Sequence, residues 1–132
     1  MLSFPHTVRI FLHTEAVDLR KSFDGLSGLV SQAFPEHDLL SGHLFLFLNG
    51  RRDRIKMLHW DADGLAIWYK RLEAGSFQLP QRIAPGAAVE LKSAQLAMLL
   101  SGIDLTNARQ RKRYRRPEEI GGNPRQRPLN GR

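Results

Sequence analysis

Residues 43–72 read HLFLFLNGRRDRIKMLHWDADGLAIWYKRL, and this stretch decides the fold. Residues 43–48 form a strand candidate in which Leu and Phe alternate after His43, leaving both faces largely apolar. Asn49-Gly50 opens a tight connection, because both residues tolerate positive φ. Residues 54–60 (RIKMLHW) form a second strand, Asp61-Ala-Asp-Gly64 supplies turn residues again, and residues 65–72 (LAIWYKRL) form a third. Two short connections in succession predict a three-stranded antiparallel meander, since parallel neighbours need a longer crossover.

Upstream, residues 7–13 (TVRIFLH) read as a further strand. Leu26, Leu29, Val30, Ala33 and Phe34 then recur at helical spacing, which predicts one apolar stripe on a helix capped by Ser22 or Asp18 and ended by Pro35. Gly25 and Gly28 weaken that helix unless its backbone packs closely on the sheet. Downstream, residues 73–86 contain Gly75, Pro80, Pro85 and Gly86 and read as a loop with room for one short strand. Ser93 then caps a second helix, with Leu96, Leu99, Leu100 and Ile103 on one side and Gly102 near its end. The expected fold class is α+β: an antiparallel β-meander of three to five strands packed against one or two helices. Residues 1–105 form the compact domain. Residues 106–132, with three prolines and three glycines and no apolar periodicity, form a flexible basic tail.

With 42% hydrophobic and 25% charged residues, the chain is not a wholly disordered one. It has no cysteine, which excludes disulfides and thiolate metal sites and suits a reducing, cytoplasmic setting. No apolar run is long enough for a membrane span, and no signal peptide is read at the N-terminus. The net charge of +7 is unevenly placed. Residues 1–105 hold 11 Lys/Arg and 11 Asp/Glu, whereas residues 106–132 hold 9 Lys/Arg and 2 Glu. The densest run is Arg109-Gln-Arg-Lys-Arg-Tyr-Arg-Arg116, in which Arg109, Arg111, Lys112, Arg113, Arg115 and Arg116 offer charged donors to phosphate and Tyr114 a stacking ring. A second group, Arg51, Arg52, Arg54 and Lys56, surrounds the first hairpin connection as a candidate phosphate-contacting loop, with a solvated turn partly neutralised by Asp53 as the bland reading.

Other candidates point to ordinary structure. Asp61 and Asp63 have the spacing of a hairpin turn, where Asp side chains bond their own backbone; a calcium loop would need further oxygen ligands and a Glu at its twelfth position. His6, His13, His37, His43 and His59 lack the helical spacing of a metal site, although His43 and His59 could face each other across the meander. Trp60 and Trp68 could share a face and, with Tyr69, offer base-stacking rings, but a core role is the commoner fate of such residues. No nucleophile elbow, P-loop or dinucleotide motif appears, so neither an active site nor a cofactor or metal site is expected.

Four motifs stand in order along the chain: Asp18-Leu-Arg-Lys-Ser-Phe-Asp-Gly-Leu26, Ser41-Gly-His-Leu-Phe-Leu-Phe47, Arg54-Ile-Lys-Met-Leu-His-Trp-Asp-Ala-Asp-Gly64 and Lys70-Arg-Leu-Glu-Ala-Gly-Ser-Phe77. Together they resemble the small second-reading-frame accessory protein, often called TnpB, of the sixty-six family of bacterial insertion sequences, over residues 3–105. That protein is unrelated to the RNA-guided nucleases of the same name. The resemblance implies a non-catalytic role in transposition beside a separate, larger transposase, and it transfers no catalytic residues. The tail lies beyond the motifs, so a DNA role for it rests on charge alone. The expected function is thus a transposition accessory factor that docks on the transposase or a sister protein and contacts DNA backbone through the tail. The alternatives are a protein-binding module whose basic tail meets an acidic partner surface, and a metal-dependent nuclease built on Asp18, Asp24, Asp61 or Asp63.

Overall fold

The computed structural model describes residues 8–79 and 88–101. Five strands form one sheet: β1 (Ile10–His13), β2 (Leu44–Leu48), β3 (Arg54–Asp61), β4 (Gly64–Arg71) and β5 (Ala88–Leu91), in the spatial order β4-β3-β2-β1-β5. Helix α1 (Phe23–Ala33) lies between β1 and β2 in sequence, and α2 (Ser93–Ser101) follows β5. The β2-β3-β4 meander is antiparallel as expected, but the sheet as a whole is mixed, because β1 runs parallel to β2 and antiparallel to β5. The reason lies in the connection. The segment between β1 and β2 is long enough to carry α1 and a 3-10 turn (Leu39–Ser41), and such a crossover allows parallel pairing.

The Leu-Phe alternation of β2 is explained by a helix on each side. Leu44, Leu46 and Leu48 join Ile10, Leu12, Ile55 and Met57 under Leu96, Leu99 and Leu100 of α2. Phe45 and Phe47 join Phe11 and Leu58 under Leu26 and Val30 of α1 and Phe34 at its C-terminal end. All five β2 residues are buried. Phe11 stacks on Phe45 at 5.5 Å between ring centroids, within the range where aromatic pairs add to plain area burial.

Local chemistry differs in detail from the expectation. Ser22 stands at the N-cap of α1 without a side-chain capping bond, while the Asp18 carboxylate accepts from the backbone N–H and guanidinium of Arg20. The helix closes with the Phe34 N–H donating to the Val30 carbonyl, directly before Pro35. Neither glycine of α1 packs on the sheet. A Cβ on Gly25 would meet the Lys21 stem at 3.1 Å, and one on Gly28 would meet nothing within 4 Å. Ser93 is the first residue of α2 rather than its cap; the Gln95 side chain instead accepts the Lys92 N–H, half of a capping box. The expected short strand falls at Ala88–Leu91, just beyond the loop assigned to hold it.

Candidate nucleic-acid interface

The first hairpin connection is a built loop. The Asn49 side-chain oxygen accepts the backbone N–H groups of Asp53 (3.1 Å) and Arg54 (3.0 Å), and its amide donates to the Asp53 carboxylate (2.6 Å). The residue with positive φ is Arg52 (+58°), not Asn49 or Gly50. The loop is buttressed from outside by the segment after β4. The Leu72 N–H donates to the Asp53 carbonyl at 2.7 Å, and the Phe77 N–H to the Arg52 carbonyl at 2.6 Å. Phe77 is buried in the core, which anchors that segment. Arg51 and Arg52 therefore leave from a backbone fixed on both sides and project from exposed positions.

Arg54 stands directly across from Arg71, and its guanidinium reaches the Tyr69 hydroxyl at 3.4 Å. Like charges placed opposite each other repel. Arg71 is offset in part by Glu73, whose carboxylate accepts from its Nε at 2.9 Å. Lys56 is placed apart from the other three. It is 8% exposed, its ammonium donates to the Lys21 carbonyl at 2.7 Å, and it sits 4.8 Å from the centre of the Tyr69 ring. Through these contacts residues 18–24, 51–56 and 69–73 meet at one end of the sheet. They carry eight of the eleven Lys/Arg of residues 1–105 and four of the eleven Asp/Glu. Among them, Asp18 is held at about 2, well below the usual carboxylate range, chiefly by the hydrogen bonds from the Arg20 side chain and then by the Arg20 backbone N–H.

The other end of β3 is acidic. Asp61 ends β3 and Asp63 lies in the two-residue turn to β4, where Ala62 takes a φ of +56° and the Asp63 N–H donates to the Asp61 carbonyl. Asp38, whose side chain accepts the Leu40 N–H, caps the 3-10 turn that packs on this end of β3. Among the described residues, the two ends of β3 thus carry opposite sign. Sequence spacing could not reveal this, because the segments that form the basic end lie far apart in the chain.

Two expected pairings do not form. The register places Trp68 opposite Met57 on the α2 face and Trp60 opposite Leu65 on the α1 face, so the tryptophans lie on opposite faces. Trp68 packs against the core, and the exposed Tyr69 holds Lys56 instead of lining an aromatic platform. His43 and His59 also lie on opposite faces, because the β2-β3 register aligns His59 with Leu44. His43 packs against Phe11 and His37 and accepts the Arg9 backbone N–H at Nδ1 (2.9 Å). Burial, with Arg9 and His37 nearby, lowers its pKa. The tail residues Arg109, Arg111, Lys112, Arg113, Arg115 and Arg116 lie outside the described residues, as does His6.

Residues 8–110 match the family of IS66 Orf2-like proteins. The chain belongs to that family. This IS66 Orf2-like protein is 32% identical over 113 residues to "uncharacterized protein y4jC" of Sinorhizobium fredii (strain NBRC 101917 / NGR234), covering 86% of the chain and 93% of the relative. It is 35% identical over 104 residues to "uncharacterized protein y4hO" of the same strain, covering 79% of the chain and 88% of the relative. No solved structure matches it significantly. Membership ties the IS66 Orf2-like protein to bacterial insertion sequences and to an accessory part in their transposition, and the family is not a known catalytic one. No helix among the described residues is long and apolar enough to cross a membrane.

Proposed function

We propose that the protein is a non-catalytic accessory factor that brings the transposition machinery of its element onto DNA. The compact domain of residues 1–105 docks on the transposase or a sister protein. Arg51, Arg52 and Arg54 at the basic end, together with the 109–116 run of the tail, grip DNA backbone without reading sequence. The observation that carries this reading is the gathering of the basic residues at one end of the sheet, around a loop whose backbone is fixed by Asn49, Leu72 and Phe77. Lys56 supports that end from within and keeps its ammonium on the Lys21 carbonyl. Tethering a weak basic arm to a docked domain raises its effective concentration near DNA without new contacts.

A mobility-shift titration of the full chain on random duplex DNA tests this reading. The tail, by neutralising about 5–6 phosphates, contributes about −5 to the log–log salt slope, and the basic end adds to it. Deletion of residues 106–132 is expected to remove most of that slope. A slope near zero for the intact chain would sink the DNA reading and leave the basic end to an acidic protein surface. Docking is tested separately, by recovery of transposase with the protein from cells carrying the whole element after nuclease digestion. Loss of transposase on digestion would make DNA the bridge and remove the docking step.

A further inference from the structure

The two edges of the sheet are built differently. β5 is four residues long and carries Glu90, which is paired with Arg9; short, charged strands are a common guard against edge pairing. β4 is eight residues long, pairs with β3 without a bulge and contains no proline. Leu65, Ala66, Ile67 and Trp68 are each left half-buried, while every residue of the wholly apolar β2 is buried. Among the described residues nothing pairs with the outer side of β4.

The hydrogen-bond phase of that outer side follows from bonds at the basic end. Arg54 faces β2, since the Asn49 N–H donates to its carbonyl, and the Leu72 N–H donates to the Asp53 carbonyl. Alternation then directs the backbone groups of Ala66, Trp68 and Lys70 toward β3 and those of Leu65, Ile67 and Tyr69 outward.

We infer that β4 is the dimerisation edge of this protein, pairing antiparallel with β4 of a second copy about a two-fold axis through Ile67, so that Arg71 of each copy meets Asp63 of the other. The sequence of the strand is self-complementary in this register. Ile67 faces Ile67, Leu65 faces Tyr69, and the small Ala66 faces the large Trp68. Gly64 faces Lys70 and leaves space for its stem to reach toward Asp61, the β3 residue paired with Gly64. Both ends of the strand thus place acid against base, and the charge polarity of the molecule is satisfied twice. A shift by one residue would put outward backbone groups against inward ones. A shift by two in one direction sets Asp63 against Glu73, and in the other it carries Lys70 and Arg71 past the end of the turn. This pairing goes beyond the DNA-binding reading and does not depend on it.

Sedimentation equilibrium of the full chain at tens of micromolar, without nucleic acid, tests the pairing. The expected mass is twice the 15.0 kDa of one chain. Arg71→Glu and Asp63→Arg, both at exposed positions, should each weaken association by about tenfold or more, and the combined variant should restore it. Hydrogen exchange on the unmodified chain guards against a folding defect in the variants. The amides of Leu65, Ile67 and Tyr69 should slow as concentration rises, while those of Ala66 and Trp68, bonded to β3, should not change. A single-chain mass at all concentrations overturns the inference. So does a dimer indifferent to either charge reversal, a combined variant that fails to reassociate, or exchange at the three outward amides that ignores concentration.

Discussion

Lys56 and His43 are the two residues whose placement most changes their chemistry. Lys56 reads as a surface cation in the sequence, yet its ammonium is enclosed by the Lys21 carbonyl and the Tyr69 ring. Replacing it by methionine keeps the stem but leaves that carbonyl without its donor. Lys56→Met should therefore lower stability by about 1–3 kcal/mol, whereas Arg51→Ala on the exposed loop should stay within about 0.5 kcal/mol. Urea unfolding with an unchanged m-value checks both. His43 accepts the Arg9 N–H at Nδ1, a bond that needs that nitrogen unprotonated, and its folded-state pKa lies below the ordinary 6.5. The unfolded chain then takes up the proton first as pH falls. The stability His43 contributes is present above 6.5 and is lost as pH drops through that value toward the folded one. Arg9, His37 and Glu90 are the charged or titratable groups around it. The thermal midpoint should fall on acidification from about pH 7.5 to about pH 5.5, and His43→Asn, which cannot titrate, should flatten that fall.

At the scale of elements, the hairpin loop and α1 behave oppositely under substitution. The Asn49 side chain makes three hydrogen bonds that fix the loop carrying Arg51 and Arg52. Asn49→Ala should cost about 1–3 kcal/mol by leaving two backbone N–H groups without their acceptor, with a matching drop in urea midpoint. In α1, Gly28 sits in a helix interior with open space where a Cβ would go. Gly28→Ala should stabilise the protein by about 0.4–1 kcal/mol, because alanine loses less backbone freedom on folding. Gly25 is the poorer site for the same change, since the Lys21 stem, whose backbone carbonyl holds Lys56, is already in contact there. The meander was legible because its two connections are short and rich in turn residues. The parallel β1-β2 pair was not, because nothing in the spacing of residues 14–43 says on which side of β2 the first strand returns.

Across the whole molecule, the decisive property is charge separation between the ends of β3. In the full chain, replacing Arg51, Arg52 and Arg54 together by glutamine should reduce the magnitude of the salt slope on duplex DNA by about 2–3, while circular dichroism remains that of the folded chain. A slope that does not change would confine DNA contact to the tail. The basic end itself was only half legible. Arg51, Arg52 and Arg54 were visible as a local run, but Arg20, Lys21, Lys70 and Arg71 join them only through the Leu72, Phe77 and Lys56 contacts.

By itself the sequence determined the elements of the central sheet, the apolar stripes of both helices, the concentration of charge in residues 106–132 and the family to which the motifs point. These are properties of period, local turn chemistry and composition, all read within a short window. Tertiary structure alone decided that β1 lies parallel to β2, that Trp60 and Trp68 part to opposite faces, that Lys56 turns inward and that the two ends of β3 carry opposite charge. Each depends on strand order and register, which are set by long-range packing of both faces of β2 against two helices far apart in the chain.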